Sequence, residues 1–347
     1  MSTHKRMYVG MEDRVEVLSD QDGRWVSERT SLQGKEVGEF AVATAADSVY
    51  AAVYEEGLYR SRDGGATWDL VLADDVRAVS VDPSDQRTVY AGTEPIRLLR
   101  SDDDGASWTE IEGLQRMPEE VKDQWWFPQP PHEGHVKDIF VHPADPRIIH
   151  LALEHGGIVR TFDRGETWED VSAGIEYLDI HMVAGDPSDK SLYYTATARG
   201  FYRSDDQGKT WVLSQDGMDR DYMHDFHMRM RAGEASTLFL ATAFGSPPAW
   251  LRPERSASAI FRSKDGGLHW EQLAGGLPAS MKPMVSAIVC DPANESWLYA
   301  GLGLWGGYVT DDKTALGGIW ESPDQGDTWR EIYPMDGAVR SLCVALS

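Results

Sequence analysis

The sequence has two cysteines in 347 residues, 33 basic side chains against 57 acidic ones, and no apolar run long enough to cross a membrane. Two thiols rule out a disulfide scaffold. Cys290 and Cys343 fall on neighbouring repeats one residue out of register, so they are expected on opposite faces as free, buried thiols. The opening MSTHKRMYVG carries charge but lacks the apolar stretch of a secretory signal, and on that ground a cytoplasmic location is expected. A net charge of −24 and a pI near 4.7 make phosphate backbones and anionic membranes poor partners. No nucleotide cofactor is expected, and the oligomeric state stays open.

What the chain has instead is one short pattern, repeated. Six copies are spelled out at 61–68 (SRDGGATW), 101–108 (SDDDGASW), 161–168 (TFDRGETW), 204–211 (SDDQGKTW), 263–270 (SKDGGLHW) and 322–329 (SPDQGDTW). Each places an Asp two residues after a Ser or Thr, a Gly two later and a Trp three beyond that. This is hairpin chemistry: the carboxylate accepts backbone N–H groups within a turn, Gly supplies a positive φ, and the indole opens the outgoing strand as a buried anchor. Asp63, Asp103, Asp163, Asp206, Asp265 and Asp324 are therefore read as structural, not as catalytic or calcium-binding.

Upstream of the pattern lie aromatic-rich strands (88–92, 192–196, 237–241, 297–301). Before several of these comes a turn at Asp82–Pro83, His142–Pro143, Asp186–Pro187 or Asp291–Pro292. Upstream again are alternating strands at 76–81, 136–141, 180–184, 226–230 and 285–290. Four short strands per unit with turn signals between them describe a propeller blade. The N-terminus supplies a second strand (7–10), a third (15–19) and a shortened pattern (19–25, SDQDGRW), with no first strand before them; residues 339–345 (VRSLCVA) match that missing strand. The prediction is an all-β, seven-bladed β-propeller of four-stranded antiparallel blades, one domain over 1–347. Blade 1 takes 7–30 and 338–347, which closes the ring and removes free sheet edges.

The pattern S-x-D-x-G-x-T-W resembles the Asp box, or BNR repeat, of sialidase-like propellers, plant-type photosystem assembly factors, sortilin-like receptors and xyloglucan hydrolases. The resemblance implies the fold but no one activity, because those families share the turn and not the chemistry. The sialidase R-I-P motif is missing, Pro95-Ile96-Arg97 being only its reversal. Xyloglucan hydrolases place catalytic aspartates between two propellers, and one is read here. The arginine-rich patch of the assembly factors fits poorly with so acidic a chain. Single rings of the virginiamycin-lyase and selenium-binding type hold a metal or an acid/base histidine at the channel mouth, an analogy without shared motifs.

Uneven repeat spacing marks three insertions, at 113–135, 243–258 and 302–317, whose connection types emerge on one face. Loops crowded on one face of a rigid scaffold point to a pocket there. Aligning first strands puts Arg77, Lys137, His181, His227, Ser286 and Arg340 in one column, with Glu39 roughly equivalent, where a core strand would be apolar. His135, His155, His181, His224 and His227 fall at strand ends on that same face. With Glu154, Asp179 or Asp225 they offer a site for a divalent metal of unassigned identity, or for general acid/base chemistry. Catalytic candidates are His181, His227, His135, Arg77, Lys137 and Arg340; metal candidates are His135, His155, His181, His224, His227 and Glu154. Trp126, Trp250, Arg252, Trp305 and Tyr308 on the inserted loops are candidates for contacting substrate. These readings converge on a hydrolase or lyase acting on a small polar or anionic molecule. The alternatives are a non-catalytic scaffold presenting its loops to a protein or glycan, and a glycoside hydrolase of the Asp-box type with a carbohydrate ligand.

Overall fold

The computed structural model describes residues 5–229, 236–251, 255–303 and 317–346. They form seven four-stranded sheets, and the fold is a seven-bladed β-propeller. Blade 1 pairs the C-terminal strand Val339–Leu346 with Lys5–Met11, Val15–Gln21 and Arg24–Ser31. Blades 2 to 7 follow in chain order, with first strands Val37–Ala43, Val76–Val81, His135–Val141, Ile180–Asp186, Tyr222–Arg229 and Met284–Asp291. The expected closure of blade 1 is present: Tyr8 pairs with Cys343 and Val9 with Leu342, antiparallel. Neither cysteine is in a disulfide, and both are half-buried rather than buried, each lying in a two-residue stretch of its strand, with Val289 and with Val344, that stays partly exposed.

The chain divides into two compact units. One holds blades 1, 6 and 7 with residues 37–40 and 62–67; the other holds blades 3, 4 and 5 with the rest of blade 2. In the first, Val339 and Leu342 of the C-terminal strand share a core with Met7, Val9, Leu18, Trp25 and Tyr299. In the second, a core of Ala78, Tyr90, Leu98, Val136, Leu151 and Val159 joins blade 3 to blade 4.

The repeated turns are built as their composition requires. In blade 3 the amide of Ser107 donates to Asp103 Oδ1 (2.8 Å) and its hydroxyl to Oδ2 (2.7 Å), while Ser101 Oγ donates to the same carboxylate and accepts from the Gly105 amide (2.8 Å). Gly105 has φ 79°. The Ser107 donors hold the Asp103 carboxyl down to about 2. The closing tryptophan folds back on its own turn: Trp168, Trp270 and Trp329 donate Nε1–H to the carbonyls of Gly165, Gly267 and Gly326. With hydroxyl, amide and carboxylate all satisfied internally, these aspartates are structural.

One regularity of the first strands escapes a pattern of apolar and polar residues. Pairing with the second strand skips one residue at the same place in six blades: Arg77, Lys137, His181, His224, Ser286 and Arg340. Each is a β-bulge, which turns a side chain away from the regular alternation.

Candidate functional site

The bulges correct the predicted column. His224, not His227, occupies the blade 6 position, because that strand starts at Tyr222 and slips register between Met223 and Asp225; His227 pairs regularly with Phe239. The side chain of His227 lies outside the described residues, as do Arg252, Trp305 and Tyr308.

In the unit holding blades 3 to 5, the bulged cations meet carboxylates delivered by two other repeat positions, the end of the second strand and the approach to the first. Arg77 contacts Asp75 (2.8 Å) and Glu94 (3.2 Å). Glu94 lies 3.2 Å from Nδ1 of His135, whose Nε2 hydrogen-bonds Glu154 at 2.9 Å. Lys137 stands 3.6 Å from Glu154, and Asp179 lies between His155 (3.4 Å) and His181 (3.5 Å). The result is a ladder of alternating charge from blade 3 to blade 5. Aromatic rings flank it: the Arg77 guanidinium lies over Tyr54 and that of Arg199 over Tyr177, while Phe127 of the first inserted loop packs against both His135 and His155.

Neighbouring charges shift His135, His181, Glu94 and Glu154 toward their charged forms. Burial pushes His135 down, but Glu154 and Glu94 outweigh it and hold the imidazole above its ordinary value. Burial likewise opposes His181, and Asp179 overcomes it. Glu94 is lowered, first by its bond to His135; Glu154 is lowered well below the usual carboxylate range, the charges of His135 and Lys137 outweighing the penalty of burial.

This arrangement brings Arg77, His135, Lys137, Glu154, His155 and His181 together. Both nitrogens of His135 face carboxylates, and the carboxylates beside His135 and His181 hold both imidazoles above their ordinary value. Among the described residues no group of three or more His, Cys, Asp and Glu side chains can hold a metal ion. Nor are Arg77 and Lys137 left to receive an anion, because each is neutralised by a carboxylate of its own blade. In the other unit Arg340 contacts Glu36 and lies 3.9 Å from Glu12, and Ser286 donates to the carbonyl of Val339 (2.7 Å). Asp225 accepts the amide of Ile288 (2.8 Å), a staple between blades 6 and 7. His224 is half-buried beside Tyr222, with rings near parallel at 11°.

The inserted aromatics divide. Trp126 is 52% exposed and stacks on His132 at 5.0 Å with rings 8° apart, leaving one face to solvent. Its amide donates to the carbonyl of His155, which ties the loop to the ladder. Trp250 is fully buried, edge-on to Tyr222, with Nε1–H on the Gly245 carbonyl; it packs its loop down and offers no face to a substrate. Sequence reasoning missed Glu94, although a signal was present. Tyr8 to Glu12 (YVGME), Tyr90 to Glu94 (YAGTE) and His150 to Glu154 (HLALE) all end on a Glu at the close of a second strand, and each Glu faces the bulged cation of its own blade.

Residues 202–213 match the model of the BNR/Asp-box repeat. The chain is 26% identical over 313 residues to a xyloglucanase of Hypocrea jecorina, covering 83% of this chain and 31% of the relative. It is 25% identical over 227 residues to the xyloglucanase Xgh74A of Acetivibrio thermocellus, covering 58% and 26%. The chain thus spans about a third or less of the length of these curated relatives. Among solved structures, the GH74 xyloglucanase of Xanthomonas campestris shares the fold at TM-score 0.66 and 18% identity, over 94% of this chain and 52% of that one. YCF48 of Cyanidioschyzon merolae shares it at 0.57 and 12%, over 92% and 96%. The chain is a seven-bladed propeller of Asp-box repeats, similar over most of its own length to one part of the xyloglucanases.

Proposed function

We propose that this chain is a glycoside hydrolase, or the propeller of one, acting on a polysaccharide of the xyloglucan class. The observation that carries the reading is the similarity of 83% of the chain to a curated xyloglucanase. The geometry supports it. A row of fixed charges alternating in sign presents donors and acceptors to the hydroxyls of a neutral sugar chain, and the free face of Trp126 beside it suits stacking on a pyranose ring. Glycoside cleavage needs carboxylates at the scissile bond together with a proton donor. Glu94, Glu154 and Asp179 supply carboxyl groups, and His135 and His181, whose imidazoles are held above their ordinary value, supply groups that can carry the proton.

A second reading, binding without cleavage, draws on one feature: every cation of the ladder is already matched by an anion, so no group in it stands as an unpaired acid. One experiment separates the two. The purified chain is run through gels containing xyloglucan and, in parallel, assayed for release of reducing ends. Retention with release, the release lowered at least about a hundredfold in Glu154→Gln, is the expected result. Retention without release leaves the binding reading, and neither retention nor release overturns both.

A further inference from the structure

Away from the ladder, blade 4 departs from its neighbours at two buried positions eight residues apart. In blades 3, 5 and 7 the residue at the end of the first strand or just past it is a buried aspartate, and the residue eight later on the second strand is a buried tyrosine: Asp82 and Tyr90, Asp186 and Tyr194, Asp291 and Tyr299. Each aspartate accepts the amide two residues on, from Ser84 (2.8 Å), Ser188 (2.9 Å) and Ala293 (2.8 Å), and Tyr299 donates to Asp291 (3.0 Å). Blade 4 has His142 and His150 at these positions, both with no exposed surface.

His142 takes over the turn bond of the aspartate: its Nδ1 accepts the Ala144 amide at 3.2 Å. That nitrogen must be unprotonated, which places the ring proton on Nε2, a buried atom with no hydrogen-bond partner among the described residues. Both nitrogens of His150 are also buried without a partner. The two rings pack with Phe140 and with Tyr193 of blade 5, His150 at 4.5 Å from the Tyr193 ring. The charged groups around them give a second proton little welcome. Arg160 is paired across the strand with His150 and bonded to Glu169, and it disfavours charge on His150; Lys190 disfavours it on His142, against which Asp145, already bound to Arg147, acts weakly. Gly208 of the blade 5 turn stands on the open side of His150 and brings no charge.

We propose that His142 and His150 make blade 4 an acid-responsive element. Neutral, they close the 142–148 turn and wall the contact with Tyr193; protonated, His142 Nδ1 loses the Ala144 amide and both rings leave the apolar contact. Burial holds both imidazoles below their ordinary value, so the open form takes up protons that the closed form refuses. Each such proton raises the open population up to about tenfold per pH unit below about 6.5. Opening of this segment should therefore rise by about five- to thirtyfold from pH 6.5 to 5.5, since each imidazole of the open form is already half protonated at the start.

The test is amide hydrogen exchange of the full chain, corrected for intrinsic rates, between pH 7.5 and 5.5. It compares the wild type with His142→Asp/His150→Tyr, which restores the pair of the other blades. The wild type is expected to lose protection at 141–150 on acidification while other first strands keep theirs, and the double variant is expected to hold it. A second pair, His142→Asn/His150→Phe, keeps an acceptor and an aromatic ring without a titrating group and serves if the first fails to fold. Equal protection at both pH values, or equal loss in the wild type and the variants, overturns the proposal.

Discussion

At the scale of single residues, His135 decides whether the ladder stands. It is buried between Glu94 and Glu154, and removing its charge leaves two carboxylates facing each other across the gap. His135→Gln is expected to cost about 3 kcal/mol, as breaking a buried ion pair does, measured by urea unfolding; an unchanged midpoint contradicts the ladder. The pH dependence follows from the same group. Its folded-state value is raised, so its stabilisation is complete below about pH 6.5 and is lost as pH rises through the folded value. Glu94 and Glu154 are lowered, so theirs holds above about pH 4.3 and is lost as pH falls through their folded values. The wild-type midpoint should therefore fall on the alkaline side in a way that His135→Gln does not reproduce, and parallel curves would refute this. Much of this was legible in the residues, since His135, Lys137, Glu154, His155, His181 and Arg77 were all singled out and all meet. Their roles were not legible, because a residue's type shows that it can ligate a metal but not that its neighbours have already taken both nitrogens.

At the scale of strands and loops, the repeat gave the blades and concealed the bulges. Skipping one residue leaves composition and spacing intact, so an alignment by periodicity runs past His224 to His227 and puts the wrong imidazole in the column. The inserted loops were legible as insertions by length alone. Whether their rings face solvent was not, since Trp126 and Trp250 differ only in what tertiary packing lays over them. The small residues of the second strands carry no signal in the repeat, and their purpose appears only in packing. A Cβ at Gly301 would sit 2.5 Å from Val339, and one at Gly92 the same distance from Val136, so blades 7 and 3 press bare backbone against the first strands of blades 1 and 4. Gly301→Val is expected to cost about 1–3 kcal/mol through overpacking beside the terminal closure, read as a lower urea midpoint; a neutral effect would contradict the tight contact.

At the scale of the molecule, seven blades, their order and the shared blade 1 could all be read from repeats whose local chemistry agrees with the global fold. Function could not be read that way, because the Asp box is spent on its own turn and the same scaffold serves unrelated chemistries. The terminal strand brings Val339 and Leu342 into a core otherwise built from the first and last blades in sequence. Removing residues 339–347 should therefore expose an unpaired edge and lower the unfolding temperature by several degrees; an unchanged transition would show that closure contributes nothing. On the proposed function, a neutral sugar chain lies along the charged ladder of blades 3 to 5. That placement is tested most directly by mapping amide-exchange protection with and without xyloglucan oligosaccharides. The account predicts protection concentrated at 75–77, 94, 126–137, 154–155 and 179–181, abolished in His135→Gln. Protection confined to other blades, or identical in that variant, would contradict it.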